Sequence, residues 1–401
     1  MRGLPRTYWY LWAGALVNRL GGFVFTFLAL YLTQVRGYSV ERAGMVVALY
    51  GAGSMGSGPV GGLLADRIGR RATMLLSMTL GAAAMLQLGF ARTPTHIALS
   101  TLALGFFGDL YRPAVQATVA DLVPAEDRTR AYGYLYWAIN LGFAGAAVIA
   151  GLMANRNFTL LFIVDAATTL LFGVIVYLRV PETHPEPSAR HSDLGALLVP
   201  FRDGIFMSFV ALQFLLAVVF HQGSVALPLD LRAHGVAPRM YGMLIAINGV
   251  LIVLFQPIGI RAAQRFRRGT VLALGALLTG VGFWMTGLMT SVPLYALTIV
   301  VWTVGEIFFS AVGPTVVADL APTRVRGGYQ GTYQLAWGVS AFVAPALGSW
   351  VLGRFGAHTL WNGCLVVGSI TALLHLAIAG ARRKRLIAAG ESAAREDGAG
   401  G

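Results

Sequence analysis

The ten residues Gly62–Arg71, with the sequence GLLADRIGRR, form the most polar interruption in a chain that is otherwise mostly apolar. Four of the ten residues are charged, and glycines stand at positions 62 and 69. The flanking residues 42–64 and 72–91 are each long and apolar enough to cross a hydrocarbon core about 30 Å thick. Glycine permits tight turns and close backbone approach. The stretch therefore predicts a short polar turn between two closely packed membrane-crossing helices.

The composition of the whole chain agrees with a membrane protein. Of 401 residues, 56% are hydrophobic and 12% are charged, and the mean hydropathy is +0.68. Soluble globular domains carry about 25% charged residues, so a soluble enzyme is excluded. The recurring apolar runs exclude a disordered or collagen-like chain. A fold built on disulfides is excluded because Cys364 is the only cysteine.

Apolar stretches of membrane-crossing length recur from end to end, separated by short polar breaks. Because about 20 residues are needed per crossing, twelve spans are predicted. An even number places both termini on the same side of the membrane. The predicted spans are residues 9–33, 42–64, 72–91, 96–119, 131–154, 159–179, 205–229, 240–262, 270–290, 293–317, 327–353 and 359–380.

The distribution of basic residues predicts the orientation. With both termini in the cytoplasm, 21 of the 30 basic residues lie inside and seven outside, while Arg19 and Arg112 fall within spans. Cytoplasmic loops carry an excess of Lys and Arg. This rule explains the net charge of +13 without a nucleic-acid partner.

The chain matches itself at a displacement of 198 residues. Several matches at one offset, each in the equivalent position of a six-helix half, indicate an internal duplication, which is a common way to build a transporter. We therefore predict an all-α polytopic membrane protein made of two pseudo-symmetric six-helix bundles. The matching positions are Gly44 and Gly242, Pro59 and Pro257, Gly61 and Gly259, Arg67 and Arg265, Arg70 and Arg268, and residues 119–124 and 317–322.

The polar segments outside the spans predict the boundaries of the halves. Residues 1–180 form the N-terminal bundle and residues 204–380 the C-terminal bundle, joined by a cytoplasmic linker over residues 181–203 that contains three prolines in its first seven residues. Residues 381–401 begin with a basic cluster and continue as a flexible tail rich in Gly, Ala and acidic residues.

Residues 62–71 match the G-x-x-x-D-R-x-G-R-R signature of the major facilitator superfamily at every defined position, in the loop where that family carries it. The weaker echo at Arg261–Gly269 follows 198 residues later. The chain therefore resembles this superfamily over nearly its whole length. Within it, the bacterial twelve-helix drug:proton antiporters are the most similar branch, on the evidence of Asn140-Leu141-Gly142, Gly305-Glu306 and residues 317–322 with Arg326.

The resemblance implies a role for the turn itself. The motif residues would form a cytoplasmic latch between the halves that holds the outward-open state and releases during cycling; they are Gly62, Asp66, Arg67, Gly69, Arg70 and Arg71. On physical grounds Asp66 can accept hydrogen bonds from the free N–H groups of a neighbouring helix start. The alternative is that the arginines only set the topology.

Few ionisable residues fall inside the predicted spans, where each needs a partner or water. Arg19, Asp109, Glu306 and His221 lie in spans 1, 4, 10 and 7, which line the central cavity in the superfamily. Asp165 lies near the outer end of span 6, a supporting helix, where a structural capping role is expected.

Three of these residues are candidates for proton coupling: Glu306, Asp109 and His221. Asp109 and Arg112 are three residues apart on one helical face and should pair, which favours the ionised carboxylate. Glu306 has no basic residue within a turn, so it is the best candidate unless Arg19 or Arg112, the predicted charge partners in the cavity, reaches it. His221 has the alternative of being a hydrogen-bonded packing residue.

Aromatic and amide side chains on the same helices are candidates for an amphipathic substrate site, with ordinary packing as the alternative. They are Trp302, Tyr31, Gln213 and Gln222, together with Asn248 on the eighth span.

The predicted function is that of a secondary active transporter that exports small amphipathic molecules or drugs in exchange for protons by alternating access. An uptake carrier or facilitator for a small metabolite is the alternative. We expect no enzymatic activity, metal or cofactor, because the sequence has neither a metal-ligand cluster nor a nucleotide-binding loop. The expected partners are a small-molecule substrate, protons and the lipid bilayer, with the protein a monomer in a bacterial cytoplasmic membrane and both termini cytoplasmic.

Overall fold

The computed structural model describes residues 4–124, 127–154, 157–183, 198–322, 326–382 and 385. Most of the predicted linker over 181–203 and most of the predicted tail over 381–401 lie outside these residues. The described part of the chain is helical and contains no strand.

The first half contains eight helices. They are α1 (Arg6–Leu20), α2 (Val24–Gln34), α3 (Val40–Arg67), α4 (Arg70–Phe90), α5 (Pro94–Asp109), α6 (Tyr111–Leu122), α7 (Arg128–Ala154) and α8 (Phe158–Arg179). The first predicted span is divided into α1 and α2 by Gly21–Phe23, and the fourth into α5 and α6 by Leu110. Apart from these breaks, each of the first six predicted spans corresponds to one helix.

The second half follows the same plan. A 3₁₀ turn at Val199–Arg202 precedes α9 (Gly204–His221), α10 (Ala226–Ala233), α11 (Pro238–Arg265), α12 (Arg268–Thr286), α13 (Val292–Leu320) and α14 (Arg326–Ala377). The seventh span is divided by a second 3₁₀ turn at Gln222–Ser224. Gly356 is non-helical (φ 82°, ψ 170°) and divides α14 into two parts that correspond to the last two predicted spans.

Nine stretches of the described residues are long and apolar enough to cross a membrane. The last of them contains 50 residues, which would extend about 75 Å as a straight helix. That length is more than twice the hydrocarbon thickness, so the kink at Gly356 allows two crossings. The nine omit α3 and the α5–α6 pair, which the sequence predicts as the second and fourth spans.

The structure reproduces the internal duplication. Gly44 of α3 packs against Ser349 of α14, and the matching Gly242 of α11 packs against the Ala147 carbonyl of α7. Both contacts join one half of the molecule to the other. The two halves are therefore connected by two equivalent pairs of helices, α3 with α14 and α7 with α11.

The buried side chains show which end of the bundle is closed. We call the end that carries residues 62–71 the motif face, and the opposite end the distal face. Near the motif face each half has its own hydrophobic core. A third cluster contains side chains of both halves, including Phe27, Ala147, Ala226 and Tyr241, and we call it the distal core. The two halves are thus packed together at the distal face and separate at the motif face.

Candidate functional site

A cavity of about 270 Å³ lies between the two halves. Tyr136 of α7 contributes from the first half, and α9, α13 and α14 contribute from the second. Five of the nine lining side chains are aromatic, which suits an organic ligand with apolar parts. The lining residues are Tyr136, Phe220, Glu306, Phe309, Ser310, Pro314, Tyr333, Gln334 and Trp337.

Glu306 is the only carboxylate in this lining. The side-chain amide of Asn248 donates hydrogen bonds to Glu306 Oε2 at 2.6 Å and to Thr303 Oγ1 at 3.1 Å. The structure contains no ion pair to Glu306 in the part of the chain that it describes. The carboxylate is therefore oriented by a neutral donor, and no cation opposes its protonation.

A second polar cluster surrounds Asp109, where α5 ends and α6 begins. Arg112 Nε lies 2.7 Å from Asp109 Oδ1, and Ser54 Oγ donates to Asp109 Oδ2 at 2.7 Å. The predicted pairing of Asp109 with Arg112 is confirmed. Tyr50 lies within electrostatic range of both residues and of Arg19. In contrast to Glu306, Asp109 has a cationic partner.

The two cavity arginines stay on the side of Asp109. Arg19 packs against Gly142 of α7, and its buried Nε has no hydrogen-bond partner among the described residues. Neither Arg19 nor Arg112 forms a hydrogen bond or an ion pair with Glu306 in that same set of residues. The described residues also contain no group of three acidic, His or Cys side chains that could hold a metal ion.

His221 is the last residue of α9 and lies beside the cavity. Its Nδ1 is 2.8 Å from the Ala217 carbonyl oxygen and 3.3 Å from Ser340 Oγ. The imidazole ring is 6.0 Å from the ring of Trp337, which lines the cavity. The histidine is thus a neighbour of the cavity wall rather than one of its lining residues.

The structure brings only part of the predicted aromatic and amide set to the cavity. Asn248 reaches it through Glu306, and Trp302 lies 6.0 Å from the lining residue Phe220. Gln213 is fully buried and, within the described chain, neither of its amide atoms has a partner. Gln222 donates to the Ala344 carbonyl at 3.2 Å. Tyr31 is buried away from the cavity and accepts a hydrogen bond from Arg36 Nε at 2.7 Å.

Sequence reasoning missed most of the cavity wall. Tyr136, Phe220, Phe309, Tyr333 and Trp337 were not singled out, because aromatic residues are common in all the spans. Their only signal is that they occur on helices that meet at the centre of the molecule. That signal becomes visible once the packing of α7, α9, α13 and α14 is known.

The signature residues form a polar network at the motif face. Arg70 is buried, and its guanidinium lies 2.6 Å from Asp66 Oδ1 and 3.2 Å from Asp121 Oδ2. It also donates to the Ala65 carbonyl oxygen at 3.2 Å. Arg70 therefore joins the end of α3 to the end of α6.

The start of α4 is capped by a residue that sequence reasoning did not identify. Asp66 was expected to accept N–H groups of a helix start, but Glu182 takes that position, accepting from the N–H groups of Arg71 and Ala72 at 3.2 and 3.3 Å. Gly69 has φ 101°, and a Cβ there would lie 2.5 Å from the Glu182 carboxyl carbon. Glycine is therefore required for this contact.

The remaining motif residues are more exposed. Arg71 donates from Nη2 to the Tyr177 carbonyl and lies over the Tyr177 ring at 4.9 Å. Arg67 has an exposed side chain, and a Cβ on Gly62 would meet no atom of the described chain within 4 Å. Within that chain, no hydrogen bond or ion pair joins the motif to the second half.

The second half carries an equivalent of the buried pair. Arg268, at the start of α12, forms an ion pair with Asp319 of α13. These two positions are Arg70 and Asp121 displaced by 198 residues. The duplication has thus preserved an arginine–aspartate pair at the motif face of each half.

The family model of the Major Facilitator Superfamily matches residues 11–229 and 223–396 of the chain. The chain belongs to the major facilitator superfamily. Members of this superfamily are membrane transporters rather than enzymes, and the chain is accordingly a multi-pass membrane transport protein.

Several relatives in the superfamily cover most of the chain. An uncharacterized MFS-type transporter, YttB of Bacillus subtilis, is 25% identical over 91% of this chain and 93% of its own. A Na(+), Li(+), K(+)/H(+) antiporter of Planococcus maritimus is 26% identical over 80% of this chain and 84% of its own. The multidrug resistance protein MdtH of an Enterobacter species is 25% identical over 88% of this chain and 89% of its own.

A solved structure shows the same fold at low sequence identity. The crystal structure of a mutant of the nucleoside transporter NupG has a TM-score of 0.81 to this chain and is 14% identical. It covers 93% of this chain and 100% of its own. The agreement supports the two-bundle architecture.

Proposed function

We propose that the protein exports small amphipathic molecules in exchange for protons by alternating access. The observation that carries the proposal is Glu306, a carboxylate without an ion-pair partner in the described chain, in a cavity between the two halves. A carboxylate in this position can bind a proton when the cavity faces one side and release it when the cavity faces the other.

The lining of the cavity supports an amphipathic substrate. Tyr136, Phe220, Phe309, Tyr333 and Trp337 offer apolar faces, while Glu306, Ser310 and Gln334 offer a few polar groups. Apolar walls with a few convergent polar groups are typical of sites for small organic molecules. The multidrug resistance and cation/proton antiporter relatives agree with export driven by ion exchange.

The driving force is sufficient for one proton per cycle. A membrane potential contributes about 2.3 kcal/mol per charge per 100 mV. Because about 1.4 kcal/mol changes an equilibrium tenfold, one inward proton biases export of a neutral substrate by more than a factor of ten.

Replacing Glu306 tests the proposed coupling. Glu306→Gln retains an acceptor for Asn248 but cannot lose or gain a proton, so uphill export should fall at least about tenfold, the equivalent of one proton's driving force. Counterflow of substrate without a proton gradient should persist. Export is measured in proteoliposomes after a pH jump, and counterflow is measured in the same proteoliposomes with equal pH on both sides.

The matched control is Asp230→Asn. Asp230 is a buried carboxylate of the same half that accepts a hydrogen bond from Trp361 Nε1 at 2.8 Å, and it does not line the cavity. This variant should export normally. Proton-driven export that survives Glu306→Gln would contradict the assignment of the proton site.

The alternative is an uptake carrier or facilitator for a small metabolite, which the structural similarity to a nucleoside transporter keeps open. The direction of transport separates the two functions. Vesicles with an acidic interior should accumulate the substrate of a proton antiporter, because protons leave as substrate enters. The same vesicles should lose the substrate of a symporter, because it leaves together with the protons. A panel of compounds tested in a host without its own drug pumps identifies the substrate to use.

We further propose that the motif residues act as a latch between the halves in the conformation that is open at the distal face. Asp66 is paired with Arg70, but 67% of its side chain is still accessible, so it can also contact the second half when the motif face closes. Asp66→Asn should lower turnover severalfold while the amount of protein in the membrane stays constant. Arg67→Gln tests the extent of the latch: turnover should fall if Arg67 takes part in it and stay unchanged if Arg67 only sets the topology.

We place the protein in a bacterial cytoplasmic membrane as a monomer, with the motif face and both termini in the cytoplasm. The relatives named above are bacterial, and the basic residues favour this orientation. Two single-cysteine variants, Arg67→Cys and Arg42→Cys, test this orientation in whole cells with a membrane-impermeant thiol reagent. Only the cysteine at position 42 should react.

A further inference from the structure

The first crossing of the membrane is interrupted in its middle. Helix α1 ends at Leu20, and α2 begins at Val24. At the start of α2 the Phe23 N–H reaches the Gly21 carbonyl oxygen at 2.8 Å, but among the described residues the Val24 N–H has no backbone acceptor. In a membrane interior such groups need a partner supplied by another element.

Asp165 of α8 supplies that partner. Its Oδ2 accepts hydrogen bonds from the N–H groups of Phe23 at 3.0 Å and Val24 at 3.1 Å. The carboxylate is 4% exposed, and its negative charge lies at the positive end of the α2 dipole. The capping role expected for Asp165 is confirmed, and the capped element is the distal half of the first crossing.

The break itself is built for close contact with α8. A Cβ on Gly21 would lie 1.8 Å from Thr168 Oγ1. Asn18 Nδ2 donates to Thr169 Oγ1 at 2.9 Å, immediately before the break. The α1–α2 junction is thus anchored to one turn of α8.

Helix α2 closes the distal face. Its residues belong to the distal core, in which side chains of both halves are buried together. The ring of Phe27 lies 5.3 Å from that of Tyr241 in α11, across the boundary between the halves. Helix α2 therefore forms part of the seal of the cavity on this side.

The break in the second half is held differently. Gln222 of the 3₁₀ turn donates to the Ala344 carbonyl of α14 at 3.2 Å. The position that matches Asp165 after a displacement of 198 residues is Gly363, which has no side chain. A carboxylate anchor is therefore a property of the first half alone.

We propose that Asp165 is a positioning residue for transport, which anchors the pivot at which α2 turns to open and close the distal face. This inference rests on the alternating-access function proposed above. Because Asp165 binds the start of α2 and not the substrate, its loss should loosen the distal seal and leave substrate affinity intact.

A buried reporter measures the seal without any substrate. Ala226, the first residue of α10, is fully buried in the distal core on the side of the second half. In a Cys364→Ala background, Ala226→Cys supplies a single thiol whose rate of maleimide labelling in nanodiscs follows opening of the distal core. Asp165→Leu should raise this rate at least about tenfold, because two N–H donors lose their acceptor.

Transport of the same variants separates positioning from folding. Per folded molecule, Asp165→Leu should lower kcat about tenfold relative to the wild type. Its KM should stay within about a factor of two, because Asp165 does not contact the substrate. Asp165→Asn keeps an acceptor oxygen at the helix start and should restore both readouts to within about threefold of the wild type. Asp165→Ala, which also lacks an acceptor, replaces the leucine variant if the latter is absent from the membrane.

The control is Asp203→Leu. Asp203 also caps a helix, accepting from the Phe206 N–H at 3.1 Å, but it lies at the motif face. This variant should leave labelling of Ala226→Cys unchanged. The inference is overturned if Asp165→Leu labels and transports like the wild type, or if Asp165→Asn is as defective as Asp165→Leu. If the wild type exports but Asp165→Leu does not change labelling of Ala226→Cys, the pivot alone is refuted. If Asp165→Leu raises the labelling rate but the wild type does not export, the proposed function alone is refuted.

Discussion

Asp109 and Glu306 are both carboxylates in the interior of a membrane crossing, but their partners give them different chemistry. Asp109 faces the guanidinium of Arg112, whereas Glu306 faces the neutral amide of Asn248. A cation favours the ionised form of its partner, and a neutral donor does so far less. Of the two carboxylates, Glu306 is therefore the one that we propose to change its protonation during a cycle.

The sequence alone predicts the partner of Asp109 but not the partner of Glu306. Asp109 and Arg112 are three residues apart, so helical geometry alone predicts their contact. Asn248 and Glu306 are 58 residues apart and meet only because α11 packs against α13. Contacts between distant helices depend on tertiary packing, which the residue types and their spacing do not encode.

A third carboxylate, Asp203 at the motif face, makes stability depend on pH. Burial alone raises the pKa of Asp203, but hydrogen bonds from Arg385, Tyr329 and the Phe206 N–H outweigh it, so the pKa lies below its ordinary value. The stabilisation is complete above the unfolded pKa of about 3.9 and is lost as the pH falls through the lower folded pKa.

The melting temperature of the purified protein should therefore fall as the pH is lowered below about 3.9 and through the lower folded pKa of this carboxyl. Asp203→Asn should have a lower melting temperature at neutral pH and a smaller decrease over the same range. Arg385→Gln should behave like Asp203→Asn. If melting temperature depends on pH in the same way in the wild type and both variants, the contact between Asp203 and Arg385 does not cause the pH dependence.

At the level of helices, the sequence predicted where crossings occur better than how they are interrupted. The predicted span over residues 9–33 contains both α1 and α2. Gly21 and Gly22 mark the interruption only in retrospect, because glycine is frequent in all membrane helices. What makes the break stable is Asp165, which lies 142 residues from Phe23 along the chain.

The start of α4 gives a testable case of a helix end that requires glycine. Gly69→Ala would strain the backbone at φ 101° and place a methyl group against the Glu182 carboxylate. The loss of unfolding free energy should be about 2–3 kcal/mol, combining left-handed strain with loss of the cap.

Gly37→Ala is the matched control, since Gly37 also has positive φ (66°) but a Cβ there meets no described atom within 4 Å. It should cost about 1–2 kcal/mol from strain alone. Thermal unfolding of the purified variants measures both changes. Equal costs would show that the contact between Gly69 and Glu182 is unimportant.

In the whole molecule, the duplication could be predicted from the sequence, but the conformation could not. Matching residues at a displacement of 198 predict the two halves, whereas the helix pairs that join them are known only from the structure. Which face is closed depends on the relative tilt of two rigid bundles, and the same sequence must support both tilts during transport. The separation of the halves at the motif face is therefore information that only the structure provides.

A glycine at the boundary between the halves should control this equilibrium. A Cβ on Gly51 of α3 would lie 2.3 Å from the Ala341 carbonyl oxygen of α14. Gly51→Ala should therefore disfavour the conformation closed at the distal face by about 1–3 kcal/mol, the usual cost of overpacking. Spin labels at the exposed Arg42 and Arg239 should show a larger population of long distances.

Gly58→Ala, in the same helix, is the control because a Cβ at Gly58 meets no atom of the described chain within 4 Å. Its distance distribution should match that of the wild type. If Gly51→Ala gives the same distribution as well, close packing of α3 on α14 does not set the balance between conformations.

The distal core is shared between the two halves, and this favours one conformation of the protein over the other. When the bundles tilt to open the distal face, part of the distal core becomes exposed to water. This exposure costs about 25 cal/mol of free energy for each square ångström of apolar surface. At the motif face the charged pairs are already satisfied within each half, by Asp121 and Asp319. We therefore expect the protein without substrate to be most stable with its cavity open on the side of residues 62–71, so that a substrate arriving from that side is bound first.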